Sequence, residues 1–233
     1  MLCVKDLNYR LEETYRIKNI SYQFNPGKLY GLIGLNGSGK TTFLKLLSGI
    51  IQQTSGSILW NNENLDELSR FKRSQLITLA TQTLPINFNY SVEDIISMGT
   101  YANRHLINEK QTVEMVLEKT YVKHLRKRMI TQISNGEKQR VFLARALATQ
   151  CSILLFDEPT ACLDVKHQKI IWEIIHSLKY ENKIVVVATH DINQAKNYCD
   201  EFLLIDSSEC IATGNFISIK SQQNSKCFFQ FVD

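Results

Sequence analysis

Apolar and polar positions change rhythm along the chain, and each change predicts a different element. Up to about residue 33 they alternate in strand fashion, with a Pro26-Gly27 turn before Lys28-Leu-Tyr-Gly-Leu-Ile33. From Lys40 to about Ser48 the apolar residues Leu44, Leu46 and Leu47 gather on one side, which predicts a helix. Residues 54–62 read as turn, short strand and turn, and Leu76 to Ala80 as another strand. Between about Ser91 and Ala148 the period is helical, first through Val92, Ile95 and Ile96, then through Val113, Val116, Leu117, Val122 and Leu125. Strand character returns in Ile153-Leu-Leu-Phe156 and Ile184-Val-Val-Val187, separated by the helix pattern Ile170, Ile171, Ile174, Ile175, Leu178. A strand that is apolar at every position must be covered on both faces, so these segments predict an α/β fold with a mainly parallel sheet. The helical middle reads as an insertion. The expected organisation is one domain over 1–233, with a core of 1–88 and 151–233 and a helical subdomain of about 89–150.

Composition sets the bounds. The 233 residues are 44% hydrophobic, with 27 basic and 23 acidic side chains, as in an ordinary globular chain. The longest all-apolar run, Ile184 to Ala188, is far short of the roughly 20 residues a membrane span needs. Contact with a membrane is therefore expected through another chain. The opening MLCVKDLNYRLEE carries acids and no apolar run of signal-peptide length, so a cytoplasmic address is expected. Six cysteines form no C-x-x-C pair and are expected to be reduced core thiols. Net charge divides into +4 for residues 1–88, +4 for 89–150 and −4 for 151–233, too even for a nucleic-acid-binding face. The local cluster Lys119, Lys123, Arg126, Lys127 and Arg128 is expected to be a solvated helix face.

Glycine placement is sharper: seven of the ten lie between residues 27 and 56, where something must approach the backbone closely. Within that stretch Gly34-Leu-Asn36-Gly37-Ser38-Gly39-Lys40-Thr41 fits G-x-x-x-x-G-K-[ST], after a predicted strand and before a predicted helix, the P-loop context. The glycines let backbone N–H groups close around phosphate oxygens, Lys40 reaches the β- and γ-phosphates, and Thr41 can ligate Mg²⁺. Further on, Ile153-Leu-Leu-Phe-Asp157-Glu158-Pro159 places two adjacent carboxylates at the exit of a buried strand. Side chains alternate along a strand, so the two divide the work. Asp157 is expected to support the magnesium shell and Glu158 to polarise a water for attack on the γ-phosphate. Ile133-Ser-Asn-Gly-Glu137-Lys-Gln-Arg140 contains the capping box Ser134/Glu137, which opens a helix. A capped helix N-terminus that stays exposed is also an anion site. This one lies 94 residues after Lys40 and 23 before Asp157.

In these motifs and their order the chain resembles the ATPase subunits of ABC transporters, whose signature segment usually reads L-S-G-G-Q or L-S-G-G-E. Here Ile133 replaces the leucine and Asn135 the first glycine. The resemblance covers nearly the whole chain. It implies ATP and Mg²⁺ as ligands, with Thr42 completing the phosphate loop, and Gln82 as the Q-loop glutamine joining the magnesium and water shell to the surface facing a membrane subunit. It further implies Asp164, in Ala161-Cys-Leu-Asp164, as the D-loop aspartate bridging protomers, and His190 as the switch histidine contacting the γ-phosphate. The family usually stacks adenine on an aromatic residue. The matching position here is Leu11, flanked by Tyr9 and Tyr15, either of which could supply the ring.

Partners are implied in the same way. A head-to-tail homodimer would sandwich two ATP molecules, Ser134 and Gly136 of one copy closing on the nucleotide held by Lys40 of the other. Transport would require separate transmembrane permease subunits and, through the complex, a solute-binding protein. Three local matches resemble importer ATPases for ferric siderophores, haem and cobalamin: Ser91-Val-Glu-Asp-Ile-Ile-Ser-Met-Gly99, Leu163-Asp-Val-Lys-His167-Gln168, and His190-Asp-Ile-Asn-Gln-Ala195 with Tyr198-Cys-Asp200. Manganese or zinc importers share part of this pattern. An exporter ATPase, or an ABC ATPase acting on ribosomes or DNA, are the remaining readings; the chain carries neither a second such domain nor a heptad run.

Overall fold

The computed structural model describes residues 1–81 and 89–229. Gln82 and Pro85 lie outside the described residues.

Among the described residues ten strands form two sheets. β1 (Leu2–Leu11), β2 (Thr14–Phe24), β4 (Ser55–Trp60) and β5 (Glu63–Asn64) make an antiparallel sheet in the order β2-β1-β4-β5. The second sheet runs β10-β9-β3-β8-β7-β6, built from β3 (Lys28–Ile33), β6 (Ile77–Ala80), β7 (Ile153–Asp157), β8 (Ile184–Thr189), β9 (Glu201–Asp206) and β10 (Glu209–Gly214). Every pair in it is parallel except β9-β10, so β3, β7 and β8 all end at one edge. That edge carries the chemistry.

The uninterrupted aliphatic runs are explained by the two faces of this sheet. Leu154, Phe156, Val185 and Val187 pack on one side with the helices α3 (Val92–Ser97), α4 (Glu109–Lys119), α5 (Asn135–Ala148) and α6 (Val165–Ser177). The alternate residues Ile153, Leu155, Ile184 and Val186 pack on the other side with α1 (Lys40–Ser48) and the antiparallel sheet. Each of these aliphatic side chains is essentially buried, worth roughly 1.5–3 kcal/mol apiece in transfer from water. Both cores need β7 and β8, which is why the alternation predicted at the N-terminus is absent there.

Two expectations are corrected. Leu76 closes the helix α2 (Arg70–Leu76) instead of opening β6. Within the helical stretch 91–148, 3₁₀ turns and loops separate α3, α4 and α5. The cysteines are not uniformly core residues, since Cys151 is buried but Cys162 is exposed. The basic cluster is a paired surface: Lys123 meets Glu114 and Glu118, Arg126 meets Glu93 at 2.5 Å and Glu114 at 2.8 Å, and Lys119 meets Glu181. The remaining helices are α7 (Ile192–Tyr198), α8 (Phe216–Ser221) and α9 (Lys226–Phe229). Among the described residues no helix is long and apolar enough to cross a membrane.

Candidate functional site

Helices α2 through α8 each begin on a Ser, Asn or Asp whose side chain accepts a first-turn N–H. α1 begins on Gly39, with no side-chain cap and no acid in its first turn. Its leading N–H groups and positive dipole end therefore face the loop Gly34–Gly39, the arrangement that holds anions. The loop is floored from far along the chain. A Cβ on Gly34 would lie 2.2 Å from the Ile205 carbonyl oxygen, so only glycine fits. Next to it, the Ser208 N–H donates to the Ser38 carbonyl at 3.2 Å and the Ser208 hydroxyl to the Tyr15 carbonyl at 3.1 Å. Lys40 is buried and its Nζ donates to the Gly34 and Leu35 carbonyls at 2.8 and 3.0 Å. Burial lowers its pKa, and the negative charges of Glu158 and Asp157 pull the other way.

The two carboxylates occupy different environments, separated by a turn at Glu158 and not by alternation along the strand. Asp157, the last residue of β7, is 8% exposed and its Oδ1 is buried without a hydrogen-bond partner. Burial raises its pKa, a hydrogen bond with the Thr41 side chain lowers it, and the neighbouring Glu158 charge raises it again. A buried acceptor next to a threonine hydroxyl in a phosphate-binding loop suits a small hard cation with oxygen ligands, and this donor set fits Mg²⁺. Glu158 leaves the strand at φ +50°, a left-handed conformation uncommon outside glycine and costing about 1 kcal/mol or more. The bond from its N–H to the Ala188 carbonyl, 2.9 Å, fixes that turn. The carboxylate is thereby swung toward β8, where His190 Nδ1 lies 3.0 Å from Glu158 Oε1.

A cavity of about 440 Å³ gathers these parts: Asn36, Gly37, Gly39, Lys40, Thr41, Thr42, Asp157 and Glu158 all line it. His190 reaches it through Glu158. Gly34 and Ser38 support the loop from beneath, with the Ser38 hydroxyl buried and unpartnered. Tyr9, Leu11, Arg16 and Ile51 also line the cavity. Tyr15 does not line it; the Arg10 guanidinium lies 4.0 Å from its ring centroid. Sequence reasoning missed Arg16 and the floor from Ile205 and Ser208, because neither carries a local motif.

Ser134, Gly136 and Asp164 lie outside this cavity. They form a second group. Ser134 caps α5 through the expected box: its hydroxyl accepts the Glu137 N–H, and Glu137 Oε2 accepts the Ser134 N–H at 2.8 Å. The backbone N–H of Ser134, followed by its hydroxyl, holds the Glu137 carboxyl below its ordinary range. Ser134 and Asn135 are exposed and Gly136 is buried. Asp164 caps α6 by accepting the His167 N–H at 3.0 Å, which holds its carboxyl low. Gln82, the remaining expected site residue, lies outside the described residues.

The family described as ABC transporter matches residues 17–161, more than half of the chain and spanning the phosphate loop, the second group's helix start and both carboxylates. The chain belongs to this family. Among its relatives are the cobalamin import ATP-binding protein BtuD of Halobacterium salinarum, 34% identical over 88% of this chain and 52% of that protein. The hemin import ATP-binding protein HmuV of Pseudoalteromonas translucida is 32% identical over 92% of this chain and 86% of its own. The manganese transport system ATP-binding protein MntB of Halalkalibacterium halodurans is 34% identical over 91% and 84%. The chain thus spans about half the length of the cobalamin relative and most of the other two. The fold of this ABC chain matches cbiO1 of Clostridium perfringens, part of the ABC transporter complex cbiONQ, with TM-score 0.84 at 27% identity, covering 99% of this chain and 94% of that one. MJ0796, a bacterial ABC transporter cassette solved as a dimer, matches with TM-score 0.79 at 25% identity, covering 92% and 98%.

Proposed function

We propose that this protein is the ATP-hydrolysing subunit of an ABC importer and that its cargo is an iron chelate, haem or cobalamin. The observation that carries the hydrolytic part is the convergence of Lys40, Thr41, Asp157 and Glu158 on one cavity, with His190 against Glu158. In this reading the loop N–H groups and Lys40 hold the β- and γ-phosphates. Asp157 and Thr41, with Gln82, hold Mg²⁺, which when bound neutralises charge on the phosphates. Glu158 accepts a proton from a water as that oxygen attacks the γ-phosphorus and the bond to the bridging oxygen breaks, releasing ADP and phosphate. His190 orients Glu158 and the γ-phosphate.

Ser134, Gly136 and Asp164 lie outside their own chain's cavity, which supports a head-to-tail dimer in which they serve the nucleotide of a second copy. ATP then binds the closed dimer more tightly than the separate chains, and its hydrolysis lets the dimer reopen. A cleft of about 640 Å³ lies between α1, α2, β6 and the helical segment 89–150, lined by Gly49, Arg73, Met98, Tyr101, Phe142 and others. Its apolar rim, with Tyr101 64% exposed, and its place at the end of β6, just before Gln82, make it the proposed seat of a permease subunit. The chain would work at the cytoplasmic face of the membrane through that contact, with a solute-binding protein delivering cargo. The chelate reading rests on the Met98-Gly99, His167-Gln168 and Asn193 contexts. Relatives named for cobalamin, hemin and manganese make manganese the competing cargo.

Glu158→Gln is expected to lower ATP turnover by about 10²–10⁴ while ATP binding persists, and to elute as a dimer with ATP. Retained turnover overturns the role of Glu158, and elution only as a monomer overturns the sandwich. Uptake by vesicles carrying the co-purified membrane subunits, compared for ferric siderophore, haem, cobalamin and Mn²⁺, decides the cargo.

A further inference from the structure

Gly136 stands in the first turn of α5 with ordinary helical backbone, where alanine would be favoured by about 1 kcal/mol. Its reason is a neighbour in the same chain. A Cβ at this position would lie 2.4 Å from Cδ2, 2.6 Å from Cγ and 2.7 Å from Nε2 of His167. The imidazole of His167 occupies the space a side chain on Gly136 would take. The other side of that ring is pinned as well: Nδ1 lies 2.8 Å from Asp164 Oδ2, while the His167 backbone N–H bonds the companion oxygen of the same carboxylate. One turn along α5, Gln139 donates to the Pro159 carbonyl at 2.9 Å. The segment Pro159–Asp164, which leaves the hydrolytic carboxylate Glu158, is therefore strapped to α5 at two points, Gln139 at its start and His167 at its end.

We infer that His167 is a positioning residue: wedged between Asp164 and Gly136, it sets the angle between the signature turn and the D-loop so that both meet the same partner-held nucleotide. The inference rests on the head-to-tail reading above. It gives Gly136 a second duty, admitting the imidazole, and it predicts that the two residues depend on one another. His167 touches neither the phosphate loop nor the cavity, so it acts on closure of the dimer and leaves capture of ATP by a single chain unchanged.

The test uses the full chain in the Glu158→Gln background, reading ATP affinity of the monomer, thermal midpoint and the concentration midpoint of ATP-driven self-association. H167A is expected to leave monomer affinity and thermal midpoint in place and to weaken self-association about tenfold, as coupled contacts do. G136A alone is expected to weaken it similarly. Added to H167A it is expected to cost less than about threefold more, because the clash is gone. H167Q, whose flat amide still donates to Asp164, is expected to stay within about threefold of the parent. Equal self-association with and without H167A, additive costs of H167A and G136A, or a fall in thermal midpoint that accounts for the whole effect each overturn the inference. Failure of the Glu158→Gln parent itself to self-associate removes the head-to-tail reading and this inference together, and is recognised before any variant is compared.

Discussion

Tyr15 and Leu11 occupy the region where a ring for the nucleotide base is expected, and neither presents an aromatic face to the cavity. The Tyr15 hydroxyl and ring are both engaged by Arg10, so its face is committed within the sheet, while Leu11 stands at the cavity wall 51% exposed. A base in this cavity would have the lining residues Tyr9, Leu11 and Ile51 available to it. Aromatic stacking contributes about 0.5–1.5 kcal/mol beyond burial, so Leu11→Tyr should tighten ATP binding by roughly 2–12-fold. Inorganic tripolyphosphate, which has no base, should bind both forms alike. Titration calorimetry with the two ligands checks this, and a parallel gain for tripolyphosphate would show that the change acts on the phosphates instead. Asp157 makes the same point from the opposite direction: its buried, partnerless oxygen is an unfavourable feature of the chain by itself and a favourable one around a cation.

Among the elements, α1 is held at both ends by groups from outside it. Its C-terminus is covered by Arg73 of α2, which donates to the Leu46 and Leu47 carbonyls at 3.0 and 3.1 Å and pairs with Asp66 at 3.2 Å. Burial lowers the guanidinium's pKa, and the Asp66 hydrogen bond and charge restore part of the loss. Arg73→Met should cost about 1–3 kcal/mol, read as a lower urea midpoint, since the Leu47 carbonyl loses its donor and Asp66 its cation, while the Leu46 carbonyl keeps the Gly49 N–H. A loss under about 1 kcal/mol would mean that water replaces the guanidinium freely. None of this was legible in the sequence, where 70–76 carries no clear apolar stripe and a buried arginine looks like any other. What was legible had a local cause. The start of α1 at Lys40 follows from the glycine run, the cap at Ser134 from S-x-x-E, and β7 and β8 from aliphatic runs too short for helices. The strands β9 and β10 and the pairing of Gly136 with His167 depend on contacts between distant segments, and a local pattern cannot encode those. The strand expected from Leu76 started one residue early because the apolar period there belongs jointly to α2 and β6.

For the whole molecule, the joint between the two sheets is electrostatic as well as apolar. Glu201 at the head of β9 takes the Tyr22 hydroxyl of β2 at 2.5 Å and the Lys28 ammonium of β3. Burial alone would raise its pKa, but the bonds from Lys28 and Tyr22 outweigh it and hold the carboxyl below the ordinary value of 4.5. A carboxyl depressed on folding contributes stability that is complete above its unfolded pKa and is lost as pH falls through the folded one. Unfolding free energy should therefore drop as pH falls below about 4.5, and Glu201→Gln should be less stable at pH 7 with a shallower acid decline. Denaturant curves at pH 7 and at stepwise lower pH test this; an unchanged acid slope in E201Q would assign the decline to other carboxyls. The β9-β10 turn that follows also floors the phosphate loop, since the Ile205 carbonyl and Ser208 close under Gly34 and Ser38. A ribosome makes residues 34–41 long before it makes residues 205–208, and domains fold as units during synthesis. The nascent chain thus carries a complete phosphate-binding sequence that has no floor until residues 205–208 have followed it, so a polypeptide that stops short of them should be unable to hold nucleotide.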